Sequence, residues 1–184
     1  MGATMMVPKG RAVGGTFKNI PVCKAASQTG CLITFASFRS TIPPPANTLF
    51  GASPSPDLVA ACTNPAALAG GSGQLHAYLN ADGQTVAGPA PRRPWVTPDR
   101  PVETPYVSVP GLLTAQCATN EHATYLEVTV HGNPSDPRAD DIGGDVGAGP
   151  QIQANWGLHL IDVHLAIGNL LDIVGQQAKN YLKK

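Results

Sequence analysis

Apolar positions along the chain fall into three patterned regions separated by long polar or Pro/Gly-rich tracts. "GCLITFASFRS", residues 30–40, is continuously apolar and β-branched. It follows a glycine and stops before Pro43, Pro44 and Pro45, which predicts a buried, central strand. "PYVSVPGLLTAQC" and "TYLEVTVHG" flank "ATNEHA" and predict a hairpin, with Thr124, Leu126, Val128 and Val130 on one face. From about Ile161, the residues Val163, Ile167, Leu170, Val174, Ala178 and Tyr181 recur at steps of three and four. That period predicts a terminal helix with one apolar stripe, and Lys179, Lys183 and Lys184 suit the negative end of its dipole.

Between these regions the chain lacks strong periodicity. Residues 41–101 are dense in Pro, Gly, Ser and Asn and admit only short helices, at about 55–61 and 64–69, the first with Ser55 as N-cap ahead of Pro56. Connections this long cover or carry something, so the excursion reads as a lid or cap. "NPSDPRADDIGGDVGAGPQIQAN" is a second irregular tract, acidic and glycine-rich. Strand, excursion, hairpin, acidic loop and helix make an α/β order with too few alternating strands for a complete doubly wound sheet.

Composition narrows the picture. At 184 residues one domain is expected, spanning 1–184. Twelve basic and twelve acidic residues cancel, which disfavours nucleic acid and anionic membranes as partners. Twenty Gly and eighteen Pro without a repeat, beside 42% hydrophobic residues, describe a loop-rich but packed chain. No apolar run is long enough for a transmembrane segment, and "MGATMMVPKGRAVGG" lacks the pattern of a signal peptide. Four cysteines allow three connectivities. Pairing Cys23 with Cys31 closes a short loop at low entropic cost and leaves Cys62 for Cys117. The competing reading is four free thiols in a cytoplasmic chain.

The chemistry centres on the acidic loop and on His159, which heads the terminal helix. A carboxylate on a loop followed about twenty residues later by a histidine before a helix can orient an imidazole as general base. The plainer alternatives are a packed His159 beside Trp156, and turn formation by Asp140 and Asp141. Asp136, Asp140, Asp141 and Asp145 also offer hard oxygen ligands for calcium, but the spacing of an EF-hand loop is absent. Neither His159 with His164 nor the cysteines match a zinc pattern, and no metal or cofactor is expected. A GxSxG nucleophile elbow is missing: Ser72 in "GGSGQ" has Gly70 before it but Gln74 after it.

"GCLITFASFRSTIPPPANTLFG", "ACTNPAALAGGSG", "PYVSVPGLL", "YLEVTVHGNPSDPRADDIGGDVG" and "NWGLHLIDVHLAIGNLLDIV" together resemble the C-terminal half of the bacterial α/β-hydrolase-like family called domain of unknown function 3089, described as lysophospholipase-like. The likeness runs from about Val7 to the end. It implies the C-terminal part of an α/β-hydrolase-type sheet with residues 41–101 as a cap insertion. It also implies an N-terminal half carrying a GxSxG serine upstream of Met1, so that the open reading frame is truncated and inert alone. His159 would be the triad base and Asp141, or its neighbour Asp140, the acid. The substrate would be a lipid-like or other small ester, and the full-length protein periplasmic or secreted. The reading from a different class is a disulfide-stapled binding or structural module whose acidic loop contacts a cation or partner.

Overall fold

The computed structural model describes residues 4–82 and 94–183. Among these described residues, eight strands and one long helix follow in chain order: β1 (Met6–Pro8), β2 (Ser37–Arg39), β3 (Leu58–Ala60), β4 (Gly73–Gln74), β5 (Tyr78–Asn80), β6 (Tyr106–Ser108), β7 (Leu113–Thr119), β8 (Thr124–Val130) and α1 (Asp162–Tyr181). Short 3-10 turns at Gly149–Gln151, Ala154–Trp156 and His159–Ile161 lead into α1. The class is therefore α/β, with mixed sheets and a C-terminal helix.

The central sheet has the order β2-β8-β7-β4. The predicted hairpin is its backbone: β7 and β8 pair antiparallel from Leu113↔Val130 to Thr119↔Thr124. β8 is buried on both faces. Leu126 and Val128 enter the main core with Leu75, Leu113, Ile142, Leu158 and Leu165, while Tyr125 packs edge-on against Phe38 on the other side. β2 runs parallel to β8 with Ser37 opposite Leu126. Two antiparallel pairs, β1 with β3 and β5 with β6, flank this sheet.

Three expectations change. The 30–40 run is buried from Thr34 to Arg39, as its composition demands, yet β2 is an edge strand of three residues rather than a central one. Its open edge is covered by the 3-10 segment ahead of α1, where Leu158 N–H donates to the Ser37 carbonyl, which allows an edge strand to be wholly buried. Helices at 55–61 and 64–69 do not form. Residues 58–60 pair instead with β1, and the Asn64 carboxamide accepts from Ala66 N–H while donating to the Gly71 and Ala115 carbonyls. Here local side-chain hydrogen bonding outcompetes the helix. The buried stripe of α1 is Leu165, Ala166, Asn169 and Ile173, continued backwards by Ile161 and Leu158. Val163, Val174 and Tyr181, placed inward from the sequence, are 50%, 60% and 70% exposed.

The 41–101 excursion contributes β3, β4 and β5, so part of it is built into the sheets; its residues 83–93 lie outside the described residues. Both disulfides, Cys23–Cys31 and Cys62–Cys117, are formed. Such bonds are compatible with an extracellular or periplasmic location. Among the described residues no helix is long and apolar enough to cross a membrane.

Candidate functional site

Gly157 determines where His159 stands. Its φ of +56° is left-handed, and a Cβ there would lie 2.6 Å from both Phe38 Cδ1 and the Ser37 carbonyl oxygen. Only glycine lets the chain turn this close to β2. The turn sets Leu158 N–H on the Ser37 carbonyl at 2.8 Å and starts the 3-10 turn at His159.

Asp162, the first residue of α1, lies one turn further on. Its Oδ1 accepts from the Ser37 backbone N–H at 2.8 Å and from the Ser37 hydroxyl, and its Oδ2 stands 2.8 Å from His159 Nδ1. Asp162 thus fills the place a neighbouring strand would take beside Ser37. Its side chain is 4% exposed and that of His159 24%. Burial raises the Asp162 carboxyl above its ordinary pKa, opposed by the hydrogen bonds from His159 and Ser37.

The imidazole stacks on Phe50, with ring centroids 3.8 Å apart, and Phe50 meets Trp156 edge-on. With Nδ1–H assigned as donor to the carboxylate, the lone pair lies on Nε2, which has no hydrogen-bond partner among the described residues. A ring held at one nitrogen by a buried acid, with the other nitrogen unengaged, has the arrangement of a general base.

The carboxylate facing His159 is Asp162, three residues away, and neither Asp141 nor Asp140. Asp141 is bound at 2.8 Å by Arg39 Nη1, while Asp145 takes Arg39 Nε and Nη2, and Nη2 also donates to the Ile142 carbonyl. Burial alone would lower the Arg39 pKa, but hydrogen bonding and charge from Asp145, then Asp141, hold it above its ordinary value. Asp140 caps the backbone N–H of Asn133, and Asp136 grips Arg138. The acidic loop therefore folds around two arginines and a turn. Among the described residues no group of three or more His, Cys, Asp or Glu is placed to hold a metal ion.

His164, the other histidine near the start of α1, has its ring 6.3 Å from that of Tyr106. The sequence gives one missed signal for Asp162: it stands three residues after His159, a spacing that brings two side chains together on one helical face. Ser37 leaves no comparable mark, because its contact spans 125 residues.

Comparison with known proteins adds no relative: no family model matches the chain, and neither a curated protein nor a solved structure is significantly similar to it.

Proposed function

We propose that His159 and Asp162 form the proton-transfer part of a serine-hydrolase-type site that cleaves carboxylic esters, with the nucleophilic serine supplied from outside these 184 residues. The observation that carries this reading is the 2.8 Å contact between His159 Nδ1 and a carboxylate that is itself fastened by Ser37. In this scheme Nε2 accepts the serine hydroxyl proton as its oxygen attacks the ester carbonyl, then returns that proton to the departing alkoxide. Water, activated by the same nitrogen, releases the acyl group as the acid.

Asp162 rather than Asp140 or Asp141 is the acid here, and it follows the histidine. This departs from the serine, acid, histidine order of α/β-hydrolases, so support comes from the local geometry and from the five sequence blocks quoted above. The cap role of 41–101 and a periplasmic or secreted location belong to the same reading, and the two disulfides are compatible with it.

The genomic DNA preceding Met1 supplies the test. An in-frame extension encoding a signal peptide and a GxSxG block is expected. The extended chain should hydrolyse p-nitrophenyl butyrate and lose roughly 10⁴-fold or more in kcat on His159→Ala, and about as much on Asp162→Asn. An in-frame stop codon with no such block, or an extended enzyme indifferent to His159→Ala, overturns the reading.

A further inference from the structure

A cavity of about 420 Å³ opens past the C-terminal end of β8, within the size range of small-molecule pockets, roughly 300–1,000 Å³. β2 pairs with β8 at Leu126, Glu127 and Val128, whereas this cavity is lined from His131 onward, just past the strand end. Trp95, Val102, Val107, Val109 and Leu112 form its apolar wall. On β6, half-buried Val107 and exposed Ser108 both line the cavity, Val107 with an apolar side chain and Ser108 with a polar one.

The walls are fastened. Thr97 N–H donates to the Pro137 carbonyl and Ala139 N–H to the Trp95 carbonyl, which sews 95–97 onto 137–139. The Trp95 indole N–H is spent on the Ala81 carbonyl at 2.8 Å, and Arg138 Nη1 reaches the Pro110 carbonyl at 3.1 Å. The cavity is therefore preformed, which spares a ligand the cost of ordering its walls.

Charge at the mouth selects the ligand. Arg138 is closed on Asp136 through Nε and Nη2, at 2.8 and 2.6 Å, so that pair is neutral. Asp140 also lines the mouth, and among the described residues no cation pairs with it. Among the described lining residues the formal charges of Asp136, Arg138 and Asp140 leave one net negative, which repels carboxylates. Ser108 and Asn133 supply uncharged hydrogen-bonding groups.

We propose that this cavity binds an uncharged amphiphile, of the class of medium-chain alcohols, with its chain against Trp95 and the valines and its head at Ser108 and Asn133. The site is separate from the ester-cleaving reading and stands whether or not the chain is part of an enzyme.

The test is an NMR titration of the ¹⁵N-labelled chain with 1-octanol and, separately, octanoate, following the Trp95 indole N–H, assigned through Trp95→Phe. 1-Octanol should shift that signal saturably, and octanoate should bind at least roughly tenfold more weakly. Asp140→Asn should bring octanoate to within about threefold of octanol, because it removes the repelling charge. Val109→Trp should fill the cavity and abolish the octanol response in a chain that still unfolds cooperatively. Absence of a saturable shift, equal affinity for octanoate, or undiminished binding by folded Val109→Trp overturns the proposal. Asp140→Asn is an exposed change and carries the test should Val109→Trp not fold.

Discussion

At the scale of single residues, Asp162 is where folding and chemistry meet. Burying a carboxylate costs free energy unless hydrogen bonds replace its water, and three donors, the Ser37 N–H and hydroxyl and His159 Nδ1–H, do so. Burial still prevails, and the folded pKa lies above the ordinary aspartate value of about 3.9. A raised carboxyl pKa means that the folded chain holds the proton more tightly than the unfolded one. The contribution of this group to stability is thus fully present below about pH 3.9 and is lost as pH rises through the raised folded value. Asp162→Asn cannot ionise, so its stability relative to the native chain should improve from about pH 4 upward and level off once pH has passed the raised folded value. Urea unfolding of both chains across that range checks the sign. A native chain that gains on the variant as pH rises would show that the hydrogen bonds, and not burial, dominate at this carboxylate.

At the scale of the element, α1 is organised by what its first three turns touch. Gly168 and Asn169 bring the helix onto main chain around residues 74–76. Gly168 N–H lies 3.0 Å from the His76 carbonyl oxygen, while the Asn169 carboxamide accepts from His76 N–H and donates to the Gln74 carbonyl. A Cβ on Gly168 would stand 2.6 Å from His76 Cβ, whereas one on Gly175 would meet nothing within 4 Å. The same substitution should therefore have opposite signs seven residues apart. Gly175→Ala should stabilise by about 0.5–1 kcal/mol through helix propensity. Gly168→Ala should destabilise by about 1–3 kcal/mol, because overpacking exceeds that gain. Denaturant midpoints decide it, and a Gly168→Ala chain as stable as the native one would mean that the helix moves away freely. The existence of this helix was legible from its period of three and four, but its inward face was not. The chain carries a second apolar series, Val163, Leu171, Val174 and Tyr181, which remains exposed, while the face that packs includes polar Asn169 and Asp162. Hydropathy cannot rank a buried carboxamide above an exposed valine; only knowledge of the opposing main chain does. His159 was legible for its position at the helix mouth. The aspartate-rich loop about twenty residues upstream suggests a partner there, but Asp141 and Asp145 serve Arg39, Asp136 serves Arg138 and Asp140 accepts from Asn133 N–H.

At the scale of the whole molecule, the small sheets are joined as much by sulfur as by hydrogen bonds. β1 and β3 form a pair of their own, and Cys62, just past β3, is bonded to Cys117 on β7, which ties that pair to the central sheet. Cys23–Cys31 instead closes a short loop against the far end of α1, where Asn180 Nδ2 donates to the Ser27 carbonyl at 2.8 Å. Short loops make a pairing such as Cys23–Cys31 legible from spacing, and the second bond then follows by elimination; the contact with α1 leaves no such trace. The two bonds restrict the unfolded chain very differently, since they span separations of 8 and 55 residues. On chain entropy the shorter is worth about 2.5 kcal/mol and the longer about 4 kcal/mol. A Cys62→Ser, Cys117→Ser double variant should accordingly lose more stability in urea than Cys23→Ser, Cys31→Ser, by about 1.5 kcal/mol. The opposite ranking would mean that the Cys23–Cys31 loop acts mainly in the folded state, as the dock for the last turns of α1. Hydrogen exchange near Asn180 in the Cys23→Ser, Cys31→Ser chain separates the two mechanisms, because chain entropy alone leaves the folded helix end as protected, relative to global unfolding, as in the native protein.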